Sequence, residues 1–274
     1  MRLSPDDLTP VDDPDVVGDL RSWDGVDLPG LARAADIAVW LPRGYDDSDE
    51  RYPVIYMHDG GNAFLRSRSY GGATWEVGEA MSALAARGFP AIVVAVPCHP
   101  EQRGEEYSQY PHPSLGGGRA EDYATFLVNH LKPAVDDALR TRQDPGSAIV
   151  LGSSLGGVVS AYLWQTRPDV FGGAGLFSPA FWWPGEQALV DLEESMRLRR
   201  KGARVYVDVG GREEPGEPDI EAAYVRDAER VVRGLREAQI PVRYVFDSAA
   251  IHFETDWAAR FPAAVEWLLH GWDR

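Results

Sequence analysis

The chain has 274 residues with 44% hydrophobic content and nine tryptophans, enough to fill a large core and to exclude a disordered chain. A formal net charge of −16 argues against nucleic acid or an anionic membrane surface as a partner. One cysteine, Cys98, excludes an internal disulfide, and no apolar run reaches membrane-spanning length, so a cytoplasmic protein is expected.

Residues 1–16 are acidic and contain Pro5, Pro10 and Pro14, which predicts a loose arm ahead of one domain over 17–274. Strands are expected at 35–41 and 52–57, the second running into Asp59-Gly60-Gly61. The spacing of Trp75, Val77, Met81 and Leu84 predicts a helix over 74–87. Residues 91–96 are almost wholly apolar and β-branched, as in a parallel strand covered on both faces. Helical spacing returns over 119–139, where Pro133 should kink or restart the helix. Short strands follow at 148–151, 173–177, 204–209 and 242–246, with helices between them and a last helix carrying Trp257, Phe261 and Leu268. Strands alternating with helices imply parallel pairing through crossovers and an α/β class, with a mostly parallel sheet covered on both faces.

Gly152-Ser153-Ser154-Leu155-Gly156 reads G-x-S-x-G between the strand at 148–151 and a helical run from Gly157. A strand, a sharp turn and a helix make a nucleophile elbow, with Ser154 as the nucleophile. Ligands of such sheets bind at strand carboxyl ends, where Ser154 falls. Serine needs a base and a group orienting it, and in this architecture the chain order is Ser, acid, His. That order removes His58, His99, His112 and His130, leaving His252 in the loop after the last strand and His270 on the final helix. His252 is the candidate base. The acid belongs in the loop after 204–209, where Glu213 is the first choice and Glu214 and Asp208 are alternatives. For the oxyanion, the N–H of Leu155 and that of Gly61, in the loop His58-Asp59-Gly60-Gly61-Asn62, are the candidate donors. No cofactor or metal is expected.

Taken together, these residues resemble the esterase family of α/β-hydrolases that includes esterase D, siderophore esterases, feruloyl esterases and the mycolyltransferases. The resemblance rests on Leu41-Pro42-Arg43-Gly44-Tyr45, the run from Tyr56 to Phe64, Arg103 with Glu106-Tyr107, Gly152 to Gly157, the run from Phe177 to Trp183, Val209 to Glu213, and His252 with Glu254, Trp257 and Arg260. It is nearest to the compact, single-domain, siderophore-esterase-like branch, and it implies an α/β-hydrolase fold with Ser154, Glu213 and His252 as the triad. The family often has a polar residue where Gly61 stands.

Trp75, Phe181, Trp182, Trp183 and Trp257 flank the expected site, where flat aromatic walls suit an aryl or acyl group. Trp182 and Trp183 are adjacent and cannot both face one core, so one is expected to face the cleft. Arg103 could hold an anionic group or pair with Glu105 or Glu106. The loop 99–118 is too long for a plain connector and could serve as a lid. The implied activity is hydrolysis of a small-molecule ester, on siderophore-type lactones or aryl and acyl esters. Acyl transfer and a catalytically silent ligand binder are the alternatives.

Overall fold

A computed structural model describes residues 1–197 and 202–270. Among the described residues nine strands form one sheet: β1 (Thr9–Pro10), β2 (Asp19–Leu28), β3 (Arg33–Leu41), β4 (Val54–His58), β5 (Ile92–Val96), β6 (Ala148–Ser153), β7 (Gly173–Phe177), β8 (Arg204–Arg212) and β9 (Val242–Ile251). Their order is β1-β2-β3-β5-β4-β6-β7-β8-β9. The pairs from β1 to β5 by way of β3 are antiparallel, and those from β5 across to β9 are parallel. The α/β-hydrolase expectation holds.

The parallel strands explain their own sequences. In β5, Ile92, Val94 and Val96 pack into one core and Val93 and Ala95 into the other. β6 repeats this, with Ala148 and Val150 on one face and Ile149 and Leu151 on the opposite one. Period-two alternation is hidden when both faces are dry, and each buried valine or isoleucine contributes about 1.5–3 kcal/mol. Helix α1 (Val77–Ala86) and helix α8 (Glu254–Leu269) cover one face. The other face holds α3 (Ala120–Phe126), α4 (Lys132–Ala138), α5 (Leu155–Thr166), α6 (Glu186–Met196) and α7 (Pro218–Glu237), and α2 (Arg103–Tyr107) packs beside α3 and α5. Pro133 does interrupt its helix: a π-helical stretch, Leu127–Leu131, joins α3 to α4. Of the helices expected between the later strands, α6 ends at Met196, and residues 198–201 lie outside the described ones.

One expectation is corrected, and two further features emerge. The segment 1–16 is laid against the sheet rather than loose, because Leu3 and Leu8 are buried, the Trp23 indole donates to the Ser4 carbonyl (2.8 Å) and Thr9 pairs with Ser22. Strand β2 was not expected, since Asp24 and Gly25 break its alternation. A register shift between Trp23 and Val26 absorbs those residues as a bulge. The loop 99–118 is pinned at its start, where α2 buries Tyr107 and Glu106 pairs with Arg33 at 2.7 Å.

The site follows from the strand order. The chain steps from β4 to β5 on one side and returns to place β6 on the other side of β4. That reversal opens a crevice beyond the carboxyl ends of β4 and β6. β8 and β9 run further than expected, and their register shifts between Gly210 and Arg212. Such a bulge bends and re-aims the chain; Glu213 and His252 are the residues immediately after these two strands.

Candidate active site

Ser154 sits between β6 and α5 with φ 58° and ψ −124°. A non-glycine residue in that region carries on the order of 1–3 kcal/mol of strain, held here by surrounding bonds. Its N–H donates to the Phe177 carbonyl (2.9 Å), and its carbonyl accepts from Gly157, Val158 and Ala180. Gly152 is required where the strand passes the helix, because a Cβ there would stand 3.0 Å from the Gly156 Cα. The helix start leaves the Leu155 N–H without an intrahelical acceptor, as at every helix N-terminus.

Gly61 lies in a short 3-10 turn (Gly60–Asn62) after Asp59, a residue at φ 53°. Gly60 is fixed by close approach, since a Cβ there would meet the Ala95 carbonyl carbon at 2.5 Å. Gly61 and Ser154 line the same cleft. Asn62 ties this loop down: its side-chain N–H donates to Glu254 Oε1 (3.1 Å), and its Oδ1 accepts from the Tyr70 N–H (2.9 Å). Burial raises the Glu254 carboxyl above its usual range.

His252 and Glu213 are joined by a 2.6 Å bond from Nδ1 to Oε2. Glu213 is fully buried, and its other oxygen accepts from the Ser178 hydroxyl (2.6 Å) and the Gly210 N–H. Burial alone would raise this carboxyl; the bonds from His252, Ser178 and Gly210 outweigh it and hold the pKa below normal. An ionised carboxylate can only accept, so Nδ1 carries a proton, and in the neutral ring Nε2 keeps its lone pair. The imidazole is wedged between Trp257 (ring centroids 4.9 Å apart) and Tyr224 (5.1 Å).

A second layer supports the acid. Ser178 accepts from the Trp257 indole (3.1 Å) while donating to Glu213. Arg260 reaches Ser178 at 3.5 Å and pairs with Asp208 at 2.8 Å. Asp208 also accepts from the Ser178 N–H and the Tyr206 hydroxyl. Of the alternative acids, Asp208 is therefore committed to Arg260, and Glu214 is exposed.

The cleft has a volume of about 690 Å³ and is lined by Ser154, His252, Gly61, Trp257, Tyr70 and Arg103 among others. That size suits a small-molecule ligand. Cys98 is on its wall, half-buried, and burial pushes its thiol up, away from the reactive thiolate. Among the described residues no group of three or more His, Cys, Asp or Glu side chains converges as a metal would require.

Four sequence-predicted substrate residues fare differently. Trp257 reaches the cleft. Arg103 reaches it too, but its partner is Asp59, at 2.8 Å through both Nε and Nη2, and neither Glu105 nor Glu106. Trp182 and Trp183 stand off the cleft wall. The segment after Ser178 is a turn, with the Trp183 N–H on the Ala180 carbonyl, so adjacent side chains need not take opposite faces. Trp183 donates to the Gly116 carbonyl (3.0 Å), and Trp182 packs on Tyr224. Trp75 and Phe181 are core. Sequence reasoning missed the supporting roles of Ser178 and of the Asp208–Arg260 pair, although Ser178 and Arg260 both fall within the motif runs.

A family model described as "Putative esterase" matches residues 29–268. The chain belongs to this family. It is a carboxylic ester hydrolase of the α/β-hydrolase fold. It is 23% identical over 239 residues to the uncharacterized protein YbbA of Bacillus subtilis strain 168, covering 84% of this chain and 90% of that one. In structure it is similar to the BES protein of Bacillus cereus, with TM-score 0.71, 20% identity and coverage of 95% and 98%. It is also similar to the enterobactin esterase FES of Shigella flexneri, with TM-score 0.70, 17% identity, and coverage of 97% of this esterase and 62% of that one.

Proposed function

We propose that this esterase hydrolyses its substrate through a Ser154–His252–Glu213 triad, with the N–H groups of Leu155 and Gly61 holding the oxyanion. The observation that carries the reading is the 2.6 Å His252–Glu213 bond, which leaves Nε2 as a base on the cleft that Ser154 lines. Ser154 Oγ attacks the ester carbonyl carbon as its proton passes to His252 Nε2. The tetrahedral intermediate collapses, the C–O bond to the alcohol breaks, and His252 returns the proton to that alcohol. Water then attacks the acyl-enzyme, giving its proton to His252, and Ser154 Oγ leaves and recovers it. The roomy cleft beside Trp257, and the likeness to an enterobactin esterase, support an aryl or acyl ester or a siderophore-type lactone as substrate.

The test is hydrolysis of p-nitrophenyl esters from acetate to octanoate by wild type and Ser154→Ala. Turnover is expected in the wild type, with a loss of about 10⁴-fold or more in the variant. Equal turnover in both proteins would remove Ser154 from the mechanism.

A further inference from the structure

The two edges of the sheet are built differently. One ends on β1, two residues that include Pro10, a short edge that offers little backbone to a partner. The other ends on β9, ten residues without proline or lysine, and among the described residues no strand lies beyond it. Phe246 is 50% exposed on that edge. The bonds to β8 decide which backbone groups of β9 turn outward. Val205 stands opposite Val242 and donates its N–H to the Pro241 carbonyl (3.0 Å). In a parallel ladder alternate residues turn both N–H and C=O to the same neighbour, so Arg243 and Val245 face β8. Tyr244 and Phe246 turn theirs to the open edge. The side chains alternate between the two faces of the sheet. Val245 packs on the α8 side, where Arg243 donates to the Ala263 carbonyl (3.2 Å), and Tyr244 packs on the α7 side. By the same alternation Asp247 shares the face of Arg243.

We propose that β9 pairs with β9 of a second copy of this chain, antiparallel about a two-fold axis at Val245, joining two sheets edge to edge. A two-fold contact needs a surface that complements itself, and β9 has one. In this register Tyr244 and the partner's Phe246 stand opposite each other and exchange both backbone bonds, using the groups that face outward. On the α8 face Arg243 falls opposite the partner's Asp247, and the same pair recurs across the axis. An axis at Tyr244 or at Phe246 would use the same outward groups but set every one of these charges opposite an apolar residue. The charges therefore select the register. Within one protomer Arg243 and Asp247 lie about 13 Å apart along the strand, too far to pair with each other. Because the partner strand runs the other way, the carboxyl ends of the two sheets point in opposite directions and both clefts stay open.

The experiment is sedimentation equilibrium of the whole chain. Wild type is expected to be a dimer with a dissociation constant of about 1–50 μM. Arg243→Asp or Asp247→Arg alone sets like charges opposite each other twice, and each should weaken the dimer by about tenfold or more. The double variant Arg243→Asp/Asp247→Arg restores opposite charges across the axis and should return most of that loss. Phe246→Pro removes an N–H from the outer edge while sparing the ladder to β8, and should be monomeric. Circular dichroism matching wild type shows that each variant is folded. A wild type that is monomeric up to about 200 μM would overturn the proposal. So would a dimer that neither reversal weakens, or a double variant no tighter than the single ones, because the contact would then lie elsewhere.

Discussion

On the Glu213 side of His252 the carboxylates and the Ser178 hydroxyl are dry and engaged; on the Ser154 side the wall is exposed and partly uncommitted. Glu213, Ser178 and Asp208 have at most 1% exposure, and their oxygens are shared among His252, Trp257, Arg260, Tyr206 and backbone N–H groups. Across the imidazole, Arg103 is about a third exposed and Tyr70 is 82% exposed. The contrast separates two requirements. Orienting a base requires donors and acceptors that do not reorganise, which a low-dielectric, hydrogen-bonded cluster provides. Admitting a substrate requires surface that water can leave.

Breaking the dry side should cost most. Glu213→Gln keeps the shape but replaces the acceptor of the His252 Nδ1–H, and kcat is expected to fall by about 10²–10⁴-fold with little change in KM. A loss under tenfold, read from p-nitrophenyl acetate turnover, would mean that Glu213 is not the orienting acid. Arg260→Met strands the buried Asp208 charge, so a loss of about 3–5 kcal/mol is expected from urea unfolding. Adding Asp208→Asn to that variant should recover part of it. If both variants unfold at the wild-type midpoint, the dry cluster is not what holds this edge together.

His58 sharpens the comparison, because it lies under the cleft side yet behaves like the dry one. It is 1% exposed, bonded through Nδ1 to the Tyr123 hydroxyl (2.9 Å), and burial lowers its pKa from the ordinary 6.5 to about 3. With the folded value depressed, the unfolded chain takes up the proton first as pH falls. Its contribution is therefore complete above 6.5 and is lost as pH drops toward about 3, at roughly 1.4 kcal/mol per pH unit. Glu213, also depressed, adds its own loss only at lower, carboxylate pH. Urea midpoints at about pH 7.5 and about pH 5.5 should differ less in His58→Gln than in wild type, and equal slopes would contradict this assignment. The smallest effect is expected on the exposed side. Tyr70→Ala should leave kcat unchanged and move KM by no more than about two- to threefold, as measured on the same esters. A tenfold change would show that the exposed wall is part of the binding site.

The same division decides what could be read from the sequence. The apolar runs at Ile92–Val96 and Ala148–Ser153 announce strands covered on both faces, and Ser154 and His252 follow from motif and chain order. Strand β2 was hidden by its bulge, because Asp24-Gly25 looks like a turn when the register shift is not known. Glu213 and Glu214 are chemically alike, and burial alone separates them. Pairings such as Asp59–Arg103 or Asp208–Arg260 join residues far apart in the chain, so no local pattern records them. Trp182 and Trp183 misled because a turn, not a strand, carries them.

The central claim is that Ser154 is a nucleophile made reactive by His252. A fluorophosphonate probe, reacted with wild type, Ser154→Ala and His252→Ala and mapped by peptide mass spectrometry, tests it without any assumption about substrate. The account predicts one adduct on Ser154 in the wild type, none in Ser154→Ala, and labelling slowed by about a hundredfold or more in His252→Ala. No adduct in the wild type, an adduct on another residue, or equal labelling rates in wild type and His252→Ala would contradict it.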